Sequence, residues 1–184
     1  MRFVSGQAPE ALALTSHVLA IPLKRFDRRL IQPLSAPEVE AILDATDPAT
    51  PGGRRDHLLL SLLYHTGARI SEALQLRPQD IHWGPPSVVC FHGKGRKERS
   101  VPLLQPLAKE FKRMLNQSPK EPSALILENR LGQTLTRSGV EKRLNQTVRR
   151  AAQQCLSLKA RTVSPHTFRQ YAGFRNMPGG TVFP

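Results

Sequence analysis

The spacing of apolar residues in the first half of the chain predicts three helices. Ser35 followed by Glu38 three residues later matches a capping box, and Val39 and Ile42 continue it at helical spacing. We expect this first helix to end near Asp47-Pro48. A second helix over Arg54–His65 is apolar on nearly every side, which is typical of a central core helix.

Glycine and proline mark the boundaries around these helices. The run Thr50-Pro51-Gly52-Gly53 has the composition of a turn. Gly67 interrupts the second helix, and a third helix should follow from about Arg69 to Leu76. Pro78 stops it, since proline removes a backbone donor and clashes with the preceding turn.

The apolar period changes to that of strands after residue 87. The β-prone Val88–Phe91 run, a tight turn at Gly93–Gly95 and a returning strand that leads into Ser100–Leu103 predict a β-hairpin with a very basic tip. The fold class is therefore α+β and mainly α, with a small antiparallel sheet.

Helical spacing returns beyond the hairpin. Pro106–Leu115 should form a helix, and Leu125–Leu127 a short buried strand or edge. Thr136 is predicted to be the N-cap of a helix that runs to about Ala152. Ser164-Pro165 is an N-cap followed by proline at the first helical position, which puts the side chains at 166 and 169 on one face.

The excess of positive charge predicts that the chain binds a polyanion. Lys and Arg number 27 against 14 acidic residues, for a net charge of +13. Seven basic residues lie in Cys90–Leu115 and seven more in Arg137–Arg161, which suits a groove around a phosphate backbone. A basic surface that only maintains solubility is the alternative.

Composition excludes several other classes. Aromatic residues make up 5% of the chain, which argues against a protein that stacks single-stranded bases on rings. Cys90 and Cys155 stand outside any metal-ligand spacing, so we interpret both as small buried or neutral residues and expect a reducing compartment. No apolar run predicts a membrane span, and none predicts a secretion signal.

Three segments carry the chemistry. They are Thr66-Gly67-Ala68-Arg69-Ile70-Ser71-Glu72, the hairpin sequence Gly93-Lys94-Gly95-Arg96-Lys97-Glu98-Arg99 with Val101-Pro102-Leu103 after it, and Ser164-Pro165-His166-Thr167-Phe168-Arg169. In order and spacing they resemble the signature boxes of the tyrosine recombinase (phage integrase) family. The resemblance runs from about Leu34 to Arg169.

The resemblance implies a role for each matching residue. Arg69 and Arg169 would neutralise the nonbridging phosphate oxygens, Lys94 would protonate the leaving 5′-oxygen, and His166 would orient or deprotonate the attacking group. Glu72, one turn from Arg69, could hold that arginine in place. Lys97 is a weaker candidate for the role of Lys94. No cofactor or metal is expected, because guanidinium and ammonium groups can stabilise the developing charge.

Basic residues outside these positions are predicted to contact duplex DNA. Those assigned to this role are Arg96, Lys97, Arg99, Lys142, Arg143, Arg149 and Arg150. Structural alternatives stay open: Arg69 as a surface residue at a helix start, Lys94 as a solvated turn residue, and His166 with Arg169 as a capping pair. We interpret His57, His65 and Tyr64 as structural.

The ends of the chain depart from the family pattern. The family has a further His or Trp and then a nucleophilic Tyr beyond the His-x-x-Arg box, and nothing after Arg169 matches either. We expect 1–24 to be a linker or the remnant of an N-terminal DNA-binding domain, 25–169 a partial catalytic domain and 170–184 a divergent tail. The expectation is a catalytically incomplete chain of low stability.

The sequence is therefore compatible with several functions, some enzymatic and some not. The first is a DNA-binding recombinase from a mobile element, associated with the nucleoid in the cytoplasm, as a homo-oligomer on DNA or with a full-length recombinase. The second is an active recombinase that uses Tyr171 or a partner's tyrosine in trans. A DNA-binding regulator and a basic RNA-associated protein are the non-enzymatic alternatives.

Overall fold

A computed structural model describes residues 33–93 and 98–169. Five α-helices and three strands occupy these ranges, with 3₁₀ turns at Pro78–Asp80 and Leu156–Ala160 and a helical segment at 165–169. In chain order the elements are α1 (Ala36–Asp44), α2 (Pro51–Thr66), α3 (Ile70–Leu74), β1 (Ile81–His82), β2 (Val88–His92), β3 (Glu98–Pro102), α4 (Gln105–Gln117) and α5 (Arg137–Ala151). The α+β, mainly helical class is confirmed.

Helix α2 lies at the centre of the core, as its leucines predict. Leu58, Leu59, Leu60, Leu62 and Leu63 are each at most 3% exposed. They belong to one apolar cluster that draws on every helix and on the sheet. Burying a leucine side chain contributes about 2 kcal/mol, so this helix anchors the elements around it.

The predicted hairpin is confirmed and has one additional strand. Strands β2 and β3 pair antiparallel, with Val89 opposite Val101 and Phe91 opposite Arg99. The two-residue strand β1 pairs with β2 and gives the sheet order β1-β2-β3. The sequence did not predict β1, because two residues are too few to show a period.

The turn predicted at Thr50–Gly53 is wrong. Thr50 is the N-cap of α2, and its hydroxyl accepts a hydrogen bond from the Gly53 N–H at 3.0 Å. Pro51 occupies the first helical position, where its missing N–H costs nothing. The two glycines therefore belong to the first turn of the helix.

The strand predicted at Leu125–Leu127 is also wrong. Ile126 and Leu127 are buried, as expected, but the segment is irregular. The Ile126 N–H donates to the Leu76 carbonyl at 2.9 Å, and only Glu128 forms an isolated bridge, to Thr134. One long-range bond thus replaces a strand ladder and satisfies a buried donor.

Two helices end earlier than predicted. Helix α1 ends at Asp44, and the Thr46 hydroxyl donates to the Leu43 carbonyl at 2.6 Å. Helix α3 ends at Leu74, before Pro78 can act. The third predicted helix is confirmed in place but is shorter at both ends. Arg69 is its N-cap, and the Gln75 and Leu76 N–H groups donate to carbonyls three residues back instead of four.

The last two long helices follow their predictions closely. Helix α5 begins after Thr136, whose hydroxyl accepts from the Gly139 N–H at 3.1 Å, and it buries Val140, Leu144 and Val148. Helix α4 exceeds its predicted range by one residue at the start and two at the end. Within the described ranges no helix has the length and apolarity that a membrane span requires.

Candidate active site

A left-handed glycine sets the position of Arg69. Gly67 has φ of 60° and ends α2, and its N–H donates to the Leu63 carbonyl at 3.1 Å. Glycine adopts this conformation without the steric cost that a Cβ imposes. The chain then turns through buried Ala68 to Arg69, the N-cap of α3.

Glu72 holds Arg69 by both backbone and side chain. Its carboxylate accepts the Arg69 N–H at Oε2 (2.9 Å) and the Arg69 Nη1 at Oε1 (2.8 Å). The Glu72 side chain is 4% exposed, whereas that of Arg69 is 57% exposed. The guanidinium is therefore anchored at one edge while much of it faces solvent, as a phosphate-binding group requires.

A second arginine completes this cluster. Arg99 Nη2 donates to Glu72 Oε2 at 2.8 Å, and the guanidinium lies 4.8 Å from the centre of the Phe91 ring. The same group reaches the Thr66 and Gly67 carbonyls at 3.5 and 3.4 Å. The structure thus places Arg99, which the sequence assigned to DNA contact, in an ion pair with Glu72.

The two arginines determine the protonation of Glu72. Burial alone would raise the pKa of this carboxyl group. Hydrogen bonds from Arg99, from the Arg69 backbone and from the Arg69 side chain outweigh burial and lower the pKa from 4.5 to about 2. Glu72 is therefore a permanent anion at neutral pH, and it cannot serve as a proton donor there.

The strand pair nearest the hairpin tip carries a second group of polar contacts. His92 Nδ1 lies 3.0 Å from Glu98 Oε1, and Nε2 lies 3.2 Å from Asp80 Oδ1. The Asp80 hydrogen bond is the largest influence on this imidazole and, with that of Glu98, raises its pKa above 6.5. Residues 94–97 lie outside the described part of the chain, and with them Lys94, Arg96 and Lys97.

The third motif is helical, as predicted, and its two functional candidates differ in exposure. Residues 165–169 are helical, with Thr167 and Phe168 buried, His166 exposed and Arg169 partly buried. The Ser164 N–H donates to the Thr167 hydroxyl at 3.0 Å. Buried Phe168 thus anchors the turn that carries His166 and Arg169.

A buried carboxylate fixes the segment that leads into this motif. Glu38, 2% exposed, accepts from the Ser157 hydroxyl at 2.7 Å and from Arg161 Nε at 3.0 Å. Burial raises its pKa, but the hydrogen bond of the Ser35 N–H, that of Ser157 and the charge of Arg161 leave it below the ordinary value. Sequence reasoning assigned Glu38 only a capping role.

The basic residues of α5 fall into two groups. Lys142, Arg149 and Arg150 are exposed. Arg143 is 41% exposed in its side chain, and its Nε forms an ion pair with Asp56 Oδ2 at 2.5 Å, which ties α5 to α2. The structure thus leaves three of these four predicted DNA contacts on the surface and pairs the fourth with a neighbouring helix.

The residues interpreted as structural have packing roles in the structure. Tyr64 is buried and meets His65 edge to face, with ring centres 4.7 Å apart. His57 Nδ1 lies 3.0 Å from the Thr46 hydroxyl and 3.2 Å from the Leu43 carbonyl. Cys90 and Cys155 are partly buried free thiols.

No metal-binding cluster exists among residues 33–93 and 98–169: no three His, Cys, Asp or Glu side chains there could hold an ion together. Within these ranges the charged side chains in contact with the Glu72 carboxylate are the guanidiniums of Arg69 and Arg99. This arrangement can bind an anion, and it can stabilise negative charge that develops on phosphate oxygens.

Comparison with known proteins decides the family. The family model described as "Phage integrase family" matches residues 32–177, most of the chain. The chain belongs to this family. The resemblance of the three motifs to tyrosine recombinases is therefore confirmed at the level of family and fold.

Curated relatives include several recombinases. The Sinorhizobium fredii protein y4rC, named as an integrase/recombinase, is 34% identical over 91% of this chain and 51% of its own length. Tyrosine recombinase XerD of Corynebacterium glutamicum is 36% identical over 83% of this chain and 50% of its own length. The chain thus spans about half the length of these relatives.

Solved structures support the same fold. The XerH site-specific recombinase bound to difH DNA superposes on 82% of this chain and 44% of its own, with TM-score 0.64 and 24% identity. A lambda integrase dimer bound to a core site superposes on 94% of this chain and 64% of its own, with TM-score 0.65 and 17% identity. At these identities the likeness extends to the fold alone.

Proposed function

We propose that this chain binds duplex DNA and stabilises charge on a backbone phosphate during site-specific recombination. The observation that carries the proposal is the Arg69 guanidinium, which a buried, permanently ionised Glu72 holds at an exposed position within a phage integrase fold. Phosphodiester chemistry needs preorganised positive charge at the nonbridging oxygens, and this anchoring supplies it.

The remaining motif residues complete the proposed reaction. Arg169 is the second phosphate-binding arginine, His166 orients the attacking group, and Lys94 protonates the leaving 5′-oxygen. The exposure of His166 and the partial exposure of Arg169 support these roles, since both side chains can meet a ligand. Lys142, Arg149 and Arg150 contribute phosphate contacts along the duplex.

The family relationship and the fold favour this proposal over the non-enzymatic regulator. A helix-turn-helix reader places its recognition helix directly after a partner helix, across a turn of about three or four residues. Here residues 118–136 separate α4 from α5 and are mostly irregular. The described elements before α5 do not form that motif.

The test uses nicked duplexes that carry a randomised sequence pool, because the natural site is unknown. On a native gel at two salt concentrations, we expect retarded complexes that weaken strongly as salt rises, because phosphate contacts release counterions. Complexes that persist unchanged at the higher salt, or no complexes at either, would contradict the proposal.

A second candidate is a complete recombinase that uses a tyrosine. The sequence contains two tyrosines: Tyr64 is buried in the core, and Tyr171 lies outside the described residues. Within this sequence Tyr171 is the candidate nucleophile for the covalent step, and a tyrosine supplied in trans by another recombinase copy is the alternative. On a denaturing gel, an adduct that disappears in Tyr171→Phe supports the first source, and an adduct that requires an added full-length recombinase supports the second.

A further inference from the structure

The strand register directs Arg99 towards the interior. Arg99 is the cross-strand partner of Phe91, which is 1% exposed. Residues opposite each other in an antiparallel pair share a face of the sheet, so Arg99 extends over the buried side. Its guanidinium accordingly lies over the Phe91 ring, and its side chain is 38% exposed.

The Glu72 carboxylate connects Arg99 to Arg69. Oε2 accepts both the Arg99 Nη2 and the Arg69 N–H, whereas Oε1 accepts the Arg69 Nη1. Removal of Arg99 would leave a buried anion whose remaining charged partner, among residues 33–93 and 98–169, is Arg69. The Arg69 guanidinium would then have to neutralise Glu72 more fully, and it would be drawn away from a solvent-facing position.

Further contacts fix Arg99 in this arrangement. Its guanidinium lies 3.5 and 3.4 Å from the carbonyls of Thr66 and Gly67, at the C-terminal end of α2. A helix C-terminus carries partial negative charge and favours a cation there. Arg99 therefore joins β3 to the α2–α3 junction, and β3 begins directly after the residues that include Lys94.

We infer that Arg99 is a positioning residue that holds the Glu72 carboxylate so that the carboxylate orients the Arg69 guanidinium. The inference rests on the proposed function, because it concerns how the phosphate-binding arginine is aimed. It assigns Arg99 to the support of that arginine, in place of direct contact with DNA.

The first arm of the test measures Glu72 itself by carbon-13 NMR of its carboxyl group across pH. We expect Arg99→Ala to raise the pKa of Glu72 by about one pH unit or more, since it removes a charged hydrogen-bond donor. Arg99→Lys, which keeps the charge but loses the planar fork, should lie between wild type and Arg99→Ala. If Arg99→Ala does not fold, the pKa of Glu72 in Arg99→Lys is compared with that in wild type.

Arg130→Ala is the matched control for charge, because Arg130 is an exposed arginine in the segment after Leu127. It should leave the pKa of Glu72 unchanged. If Glu72 titrates identically in wild type, Arg99→Ala and Arg99→Lys, Arg99 does not hold the carboxylate, and the inference is overturned.

The second arm is a double-mutant cycle on binding of a fluorescent duplex. Arg99→Ala should weaken binding about tenfold in the wild-type background and less than about twofold in the Glu72→Gln background, because contacting residues that act through each other are not additive. The dependence of log K on log salt should have the same slope in Glu72→Gln and in the double variant.

A direct phosphate contact by Arg99 gives a different result. In that case the two substitutions would be additive, and the double variant would lose a further slope of about 0.9 relative to Glu72→Gln. That result overturns the inference but leaves the proposed function intact. If the wild type binds no duplex at all, the proposed function fails, and the NMR arm still decides whether Arg99 holds Glu72.

Discussion

At the scale of single residues, the Glu72 carboxylate is the group on which the site depends. It accepts hydrogen bonds from two arginine side chains and from one backbone N–H while almost fully buried. A lowering of its pKa from 4.5 to about 2 corresponds to about 3 kcal/mol of stability at neutral pH. The same hydrogen bonds hold Arg69 in place.

The pH dependence of folding tests this role. The folded-state pKa of Glu72 lies below the unfolded value, so its stabilisation is complete above pH 4.5 and is lost as pH falls towards 2. We expect Glu72→Gln to be less stable than wild type by about 3 kcal/mol at pH 7 and by about half that at pH 3, as measured by urea unfolding.

The matched control for this experiment is Glu40→Gln, which removes an exposed carboxylate from α1. It should change stability by less than about 0.5 kcal/mol at either pH. A difference between wild type and Glu72→Gln that stays constant from pH 7 to pH 3 would show that Glu72 is not held as an anion by its partners.

Sequence reasoning predicted the support of Arg69 by Glu72 but not its second partner. The three-residue spacing shows that the two side chains share a helical face, and the structure finds them 2.8 Å apart. The contact between Arg99 and Glu72 joins residues 27 positions apart, so no local period reveals it. A signal was present nonetheless, since alternation along β3 puts Arg99 on the same face as Val101.

At the scale of elements, the prediction at the start of α2 was wrong because of its two glycines. Two adjacent glycines predict a turn, yet both lie in the first helical turn. The reason is close packing, because a Cβ built on Gly53 would lie 1.8 Å from the Asp47 carbonyl oxygen and 2.9 Å from the Thr50 hydroxyl. Only a residue without a Cβ lets the preceding loop pass this close to the helix.

Substitution of this glycine provides the test at the element scale. We expect Gly53→Ala to destabilise the fold by about 3 kcal/mol, since the obstructing atoms belong to backbone and to the N-cap of α2. Gly84→Ala is the control, because a Cβ there would meet nothing nearer than the Pro86 carbonyl at 3.8 Å. Equal urea midpoints for the two variants would contradict the packing described at α2.

The other errors at this scale have a similar physical origin. An apolar triplet at Leu125–Leu127 indicates burial, and burial is what the structure shows. The apolar triplet does not show whether a neighbouring strand is available for pairing. In the structure the Ile126 N–H donates to the Leu76 carbonyl instead. Periodic pattern thus predicts which side chains face the core better than it predicts the hydrogen-bond partners of short segments.

At the scale of the whole molecule, long-range ion pairs connect parts of the chain that sequence alone leaves separate. Glu38 near the start of the described fold holds Arg161, just before the His166–Arg169 motif. Asp56 on α2 holds Arg143 on α5. The order of the three motifs predicted the family and the fold, whereas these connections required coordinates.

The central claim is that Arg69 binds a DNA phosphate directly. The alternative is that Arg69 only adds to the general positive charge of the surface. The most direct test is the salt dependence of binding to a fluorescent duplex of randomised sequence, compared among wild type, Arg69→Ala and Arg130→Ala. We predict that Arg69→Ala loses a slope of about 0.9 in log K against log salt and that Arg130→Ala keeps the wild-type slope. Equal slopes for wild type and Arg69→Ala, or equal losses in both variants, would contradict the account.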